Sequence, residues 1–283
     1  MPLDAERLVN NVLKMAVLPA VALKFSDAIK NPLTSNQELE NIISEDTALA
    51  SKILMIANSA LFNFPSKIET ISKAITIIGF KQLNEIILSC SIVSMFKHIP
   101  QEVINMDQFW RHNIAVATTA RILAARRREQ NIEKFFTAGL LHDIGKLILF
   151  SEKPGLMLEV IQECEELQRL MHKVEQDLLG IDHAKIGAML LKKWKLPESI
   201  VSSVYFHHMP SISTGDVINP SIVHIADIIT HALQFGSSGE IFVPRLNEKA
   251  WSALSLDVDI ISSVIEQLEV QHAEAVKYIL GEA

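Results

Sequence analysis

Cysteine is scarce: Cys90 and Cys164 are the two among 283 residues. They lie far apart in apolar or helical contexts, which excludes a CxxC metal or redox motif and suits a reducing cytoplasm. Positive charge is in short supply too. Lys and Arg number 26 against 33 Asp and Glu, a net charge of −7, which argues against non-specific nucleic-acid binding through a broadly basic surface. The opening residues, Met1 to Arg7, lack a basic segment followed by an apolar one, so no signal peptide is evident. The longest apolar segments, such as Ile86 to Phe96, contain serines and fall short of the roughly 20 residues a membrane span requires. Strict alternation of apolar and polar residues is not sustained anywhere, which leaves little for a sheet. These absences describe a cytoplasmic protein with no membrane partner and an unlike match for nucleic acid.

What is present is helix. Hydrophobic residues make up 49%, enough for a large core, and Leu, Ile and Ala recur at three- and four-residue spacing. Ser35-Asn36-Gln37-Glu38 fits a capping box. Asp107 precedes a helix that runs through a local basic cluster, Arg121, Arg126, Arg127 and Arg128, read first as a solvated helix end and second as a phosphate-binding patch. Asn219-Pro220 places a cap before a proline and predicts a helix from Ser221 to Leu233, and Leu196-Pro197-Glu198 starts another in the same manner. Breaks are predicted near Asn31-Pro32, Asn63-Pro65, Ile99-Pro100, Lys153-Gly155 and Met209-Pro210, and Gly236 to Pro244 reads as a loop. The fold class is all-α.

Histidine divides the chain. The first 97 residues have none, whereas eight of the ten lie between His112 and His231. Two units are expected: residues 1–100, an N-terminal helical subdomain, and residues 101–283, a helical subdomain carrying the chemistry, with an extended interface between them.

The chemistry centres on His142-Asp143, set in the apolar run Ala138 to Leu149 and expected within one helix. Burying such groups bare costs several kcal/mol, roughly 2–7 for a neutral polar group and more for a charge. A mutual hydrogen bond would satisfy them, and so would a metal ion. Further imidazoles and carboxylates follow on successive helices: His112, His183, the pair His207-His208, and Asp227. Nitrogen and oxygen donors of this kind suit iron, manganese, zinc or magnesium, mixed sets favouring the transition metals. Each has a plainer reading. His112 packs against Trp110, His183 lies on the surface behind the capping Asp182, one of His207 and His208 faces solvent, and Asp227 pairs with His224 one turn earlier. His98, His172, His231 and His272 read as ordinary histidines.

The order His, His-Asp, His, His, Asp resembles the HD superfamily of metal-dependent phosphohydrolases. Additional motifs narrow the resemblance to HDOD proteins, the HD-related output domains of bacterial signalling. They are Leu18-Pro19, Ile42 to Leu49, Ala57-Asn58-Ser59-Ala60, Ile71 to Gly79, Phe109-Trp110, Ala138 to Gly145, and Trp194 with Leu196-Pro197, spread over roughly residues 8–235. The resemblance implies an HD-like helical bundle with an N-terminal helical subdomain packed on it. It also implies one or two divalent ions, iron or manganese first, zinc or magnesium second. His112, His142, Asp143 and Asp227 would hold one ion, and His183 and His207, with His208 beside it, a second bridged by Asp143.

Two functional readings follow. HDOD domains serve signalling through protein interaction, often with ligand residues lost, and signalling proteins are then the expected partners. The retained ligand set instead implies a phosphohydrolase acting on a nucleotide or cyclic dinucleotide. There Asp143 and Lys146 would be catalytic, Lys146 neutralising developing negative charge with Arg111 a weaker candidate, unless Lys146 simply reaches solvent. Lys146 is shared with phosphodiesterases of the HD-GYP type, but Met209-Pro210-Ser211 replaces their Gly-Tyr-Pro element. A nucleic-acid-binding N-terminal half is the weakest reading, since no basic recognition helix is present.

Overall fold

The structure, a computed structural model, describes residues 3–15, 18–59, 67–96 and 104–281. The predicted breaks at Asn63-Pro65 and Ile99-Pro100, together with Ala60, His98 and the expected boundary between residues 100 and 101, lie outside the described residues. Within them every regular element is helical.

The histidine-free half contains α1 (Ala5–Met15), α2 (Ala20–Ala28), α3 (Asn36–Ser44), α4 (Thr47–Ala57), α5 (Ile71–Ile78) and α6 (Phe80–Met95). The predicted capping box forms at the start of α3: the Glu38 amide donates to Ser35 Oγ at 3.2 Å, and the Ser35 amide donates to Glu38 Oε2 at 2.8 Å. Two orphan amides of the first turn are thereby satisfied. Leu39 and Ile43, four residues apart, turn the buried face of α3 inward.

The second half contains α7 (Met106–Arg126), α8 (Glu133–Leu141), α9 (Ile144–Glu152), α10 (Pro154–Leu167), α11 (Met171–Leu179), α12 (His183–Lys193), α13 (Glu198–Phe206), α14 (Ile218–Ala232), α15 (Glu248–Leu254) and α16 (Ile260–Val276). Helix α7 is buried on nearly every side and packs against α8, α14 and α16, as expected of a core helix with apolar residues all round. Its buried Thr118 and Thr119 hydroxyls donate to the carbonyls of Ile114 and Ala115, each at 2.8 Å, so neither enters the core unpaired.

Three boundaries differ from expectation. Helix α7 begins earlier, because Asn105 rather than Asp107 accepts the first-turn amide, that of Gln108, at 3.1 Å. Helix α14 starts at Ile218, where the amide donates to Asp216 Oδ1 at 2.8 Å. Asn219 is therefore inside the first turn, and Pro220 is tolerated there because first-turn nitrogens have no helical partner to lose. The break near Lys153 is confined to that residue, with Pro154 opening α10. Pro197 does precede α13, and Gly236–Pro244 is a loop.

The halves share a continuous core. Helix α1 packs on α9 and α12, α6 on α8, and the terminal turn Lys277–Gly281 on α4 and α6. Fully buried Phe25, Leu83 and Ile87 from the first half and Phe109, Phe135 and Phe150 from the second belong to it, each such side chain contributing about 1.5–3 kcal/mol. Half of the basic cluster is internal wiring. Arg121 donates to buried Glu133 at 2.9 Å, and Arg127 to Glu129 at 3.0 Å and to the Leu254 carbonyl, leaving Arg126 and Arg128 exposed. No single helix among the described residues is long and apolar enough to cross a membrane.

Candidate metal centre

His142 and Asp143 do not sit inside one helix. They form the turn between α8 and α9, so the pair leaves the regular backbone where its side chains are needed. The apolar run conceals this break because Leu140, Leu141, Ile144 and Leu147 are buried on both sides of it. Gly145, next in line, brings α9 against the start of α12: a Cβ there would lie 2.0 Å from the His183 carbonyl oxygen and 2.8 Å from the Gly187 nitrogen. Only glycine permits that approach, and it is what sets His183 beside Asp143.

All seven residues expected to bind metal converge. Asp227 Oδ1 lies 3.2 Å from His112 Nε2 and 3.5 Å from His142 Nε2. Asp143 Oδ2 lies 3.3 Å from His142 Nε2, while Asp143 Oδ1 faces His183 Nε2 at 3.1 Å and His207 Nε2 at 3.9 Å. The two carboxylate oxygens of Asp143 thus look toward two groups of imidazoles. On one side His112 is shared by two triads, His112-His142-Asp143 and His112-Asp227-His231. The other gathers His183, His207 and His208, with His208 Nε2 at 2.8 Å from His183 Nε2. Of His207 and His208, the first is buried and the second half-buried, and both belong to the site.

The ring tautomers are set from behind. His142 Nδ1 donates to the Gly139 carbonyl at 2.7 Å, His207 Nδ1 to the Val204 carbonyl at 2.7 Å, and His183 Nδ1 to Glu175 Oε2 at 2.6 Å. In each ring Nε2 is left to face the cluster. Glu175 is completely buried and also accepts the His183 amide at 2.8 Å, an arrangement that orients a liganding imidazole.

Four residues differ from their sequence readings. His231 is no ordinary histidine, since its Nε2 lies 3.3 Å from Asp227 Oδ1. His224 does not pair with Asp227: its Nδ1 donates to the His207 carbonyl at 2.7 Å and its Nε2 accepts the Asn247 amide at 3.1 Å, bracing the backbone of His207. His172 stacks on His208 at 4.0 Å, between clefts of about 410 and 400 Å³. Lys146 does not reach solvent; it is buried, donating to Asp143 Oδ2 at 2.8 Å and to Ser238 Oγ at 2.9 Å. Arg111 is partly exposed on an ion pair with Asp107, and His272 Nε2 donates to the Arg111 carbonyl at 3.1 Å while its ring meets Phe235 edge-on, away from the cluster.

Charge is divided unevenly among these groups. Burial disfavours the Asp143 carboxylate, yet His142 and Lys146 outweigh it and hold the carboxyl well below its ordinary range. Asp227 is likewise depressed against its burial by His231, His112 and His142. Burial opposes a proton on His142, but Asp143 and Asp227 raise it to about 10. His183 rises to about 9 against burial, chiefly through Glu175. Burial keeps His112 neutral, near 4, and with neighbouring positive imidazoles puts His207 and His208 far below the ordinary value.

The donor set fits a divalent metal. His142 Nε2, Asp143 Oδ1, His207 Nε2, Asp227 Oδ1 and both nitrogens of His112 are buried without a hydrogen-bond partner, which is costly for polar atoms. They are the atom types that bind iron, manganese or zinc, and all but His112 Nδ1 face the cluster.

Comparison with known proteins places the fold. A curated protein from Treponema pallidum, described only as uncharacterized, is 28% identical over 192 residues. That match covers 68% of this chain and 37% of the relative, so the chain spans well under half of that protein's length. Among solved structures, a candidate phosphohydrolase from Shewanella amazonensis SB2B superposes with a TM-score of 0.76 at 23% identity, covering 98% of each chain. A candidate signal transduction protein from Marinobacter aquaeolei VT8 gives a TM-score of 0.72 at 20% identity, covering 95% of this chain and 61% of the other. The HDOD domain profile matches residues 15–210, most of the chain and all of the site up to His208, and by that match the chain belongs to the HDOD domain family.

Proposed function

We propose that this protein is a signal-transduction module in which a buried divalent-metal centre fixes the helices that partner proteins recognise. The observation that carries the reading is enclosure: His112, His142, Asp143, His183 and His207 are each 1% exposed or less. A phosphoester cannot touch atoms so covered in this conformation, whereas an ion that cross-links α7, α8, α9, α12, α13 and α14 stabilises their packing directly. His112, His142, Asp143 and Asp227 would hold one ion, and His183, His207 and His208 a second, with Asp143 between them. The mixed nitrogen and oxygen donors favour a transition metal over magnesium, and the family resemblance puts iron or manganese before zinc. Lys146, bonded to Asp143 and Ser238, orients the shared carboxylate.

A second reading, a phosphohydrolase acting on a nucleotide or cyclic dinucleotide, is favoured by the completeness of the donor set and by half-buried His208 beside two clefts. A bound metal would supply it with a water of lowered pKa and a polarised phosphoryl group. Lys146 would then stabilise negative charge near Asp143.

Elemental analysis of protein purified without chelator tests the proposal. One to two ions per chain are expected, falling sharply in Asp143→Ala; unchanged metal in that variant sinks the ligand set. Metal-loaded protein that turns over cyclic dinucleotides or generic phosphoesters would replace the first reading by the second.

A further inference from the structure

His231 stands at the edge of the metal centre, outside the donor set proposed above. Helix α14 carries it one turn after Asp227, so the two side chains share a helix face. That face meets His112 of α7, against which α14 packs. Asp227 Oδ1 lies 3.3 Å from His231 Nε2 and 3.2 Å from His112 Nε2, and the two rings are 4.4 Å apart. One ligand atom from each of the three residues falls within 4.8 Å of the others.

These spacings suit atoms gathered round an ion better than a hydrogen-bonded pair. Donors about 2.1 Å from one metal stand roughly 3.0 Å apart at right angles and about 3.4 Å apart at tetrahedral ones. Asp227 Oδ1 has a third imidazole nitrogen, His142 Nε2, at 3.5 Å, yet it accepts a hydrogen bond from none of the three. His112 Nε2 is equally without a partner. A salt link between Asp227 and His231 alone would aim an N–H at that oxygen. We propose, resting on the two-ion centre above, that His231 is a further ligand to the ion at Asp227, which His112, His142, Asp227 and His231 then enclose. Four protein donors close the shell of a structural ion, whereas a catalytic ion keeps a position for water or substrate. The position at His183, His207 and His208 is built differently, since half-buried His208 adjoins two clefts. One ion is thus locked between α7 and α14, and the other lies nearer the surface.

Chelator competition on the full chain, loaded in turn with manganese, ferrous iron and zinc, tests the assignment through two substitutions. His231→Gln keeps an N–H for Asp227 but offers a poor ligand. His231→Glu offers a ligand but no N–H, and without an ion it sets two carboxylates together. The His231 side chain is 10% exposed, and circular dichroism of the metal-free variants checks that both fold. Wild type is expected to hold two ions per chain. In His231→Gln one of them should weaken more than about 100-fold, the upper range for losing a partner behind a ligand, while the other stays; His231→Glu should keep both. Equal retention by wild type and His231→Gln overturns the proposal. So does the reverse ranking, Gln retaining and Glu losing, which would make His231 a hydrogen-bond donor to Asp227. No uptake of any of the three metals by wild type overturns the centre itself, and His231 with it.

Discussion

The cluster around Asp143 and the wall of a cavity beside Glu85 both bury polar atoms that lack partners, and they do so in opposite ways. In the cluster the orphan atoms face one another across a few ångströms, with no room between them for more than ions. In the wall, which bounds about 630 Å³ between α2, α6 and the turn joining α12 to α13, they are dispersed among leucines. Orphan nitrogens and oxygens that converge fit an ion, whereas orphans scattered singly through a wall, like those of Glu85 and Trp194, stay an unrelieved cost of the fold. The contrast also follows the distribution of histidine, for the half without it contributes Glu85, Asn84 and Lys81 to the cavity and nothing to the cluster.

The sharpest way to break this contrast is at Asp143. In metal-free protein, Asp143→Ala strands buried Lys146 and protonated His142, and a loss of about 3–5 kcal/mol is expected in denaturant unfolding. Asp143→Ala/Lys146→Met should recover much of it, because the uncompensated cation is gone. A single variant no less stable than wild type would mean that the cluster is not held by charge pairing.

Glu85 gives the next largest effect, and its sign is opposite. Its folded carboxyl is raised to about 7 from an ordinary 4.5, so the unfolded chain releases its proton first as pH rises. Stability is then full below about pH 4.5 and is lost progressively up to and through pH 7. At pH 8 Glu85→Gln should be more stable than wild type by up to about 3 kcal/mol, with no gain at pH 4. A pH-independent difference between the two would show that Glu85 does not titrate in this range.

Smaller again is Glu175→Gln, which keeps the shape behind His183 but weakens its orientation. A loss of 10- to 100-fold in metal affinity is expected by competition with a chelator, without a comparable loss of fold. Unchanged affinity would confine Glu175 to packing.

The all-α fold and the capping box at Ser35 were legible because helix period and caps are local. So were the seven ligand candidates, through the order of histidines along the chain and the family resemblance. His231 carried a signal that went unused: four residues after Asp227, it shares a helix face with it. His224, three residues before Asp227, carries the same kind of signal and misleads, since its ring is claimed by the His207 carbonyl and the Asn247 amide. That choice depends on how the segment after α14 returns to the cluster, which no local pattern records. The turn at His142-Asp143 escaped notice for a similar reason, because both α8 and α9 are apolar enough to read as one helix. Glu175 looks like a surface charge until the opposing element is in place, and Lys146, read either as catalytic or as reaching solvent, is seen to be buried only once Asp143 and Ser238 close on it.

The loop after α14 has a consequence of its own. Gly236, at φ +73°, presses so closely on α7 that a Cβ would lie 2.5 Å from both the Gln108 oxygen and the His112 nitrogen. Ser237 then donates to the Gln108 carbonyl at 3.0 Å, Ser238 accepts from Lys146, and Glu240 accepts the Met171 amide at 2.7 Å. One short segment therefore buttons together the starts of α7 and α11 and the Asp143 corner. An ion enclosed behind such a clasp would trade with solvent only as often as the clasp lifts, a rate set by local unfolding rather than by affinity. The metal found in the purified protein would then be a record of which ions were at hand when the chain folded.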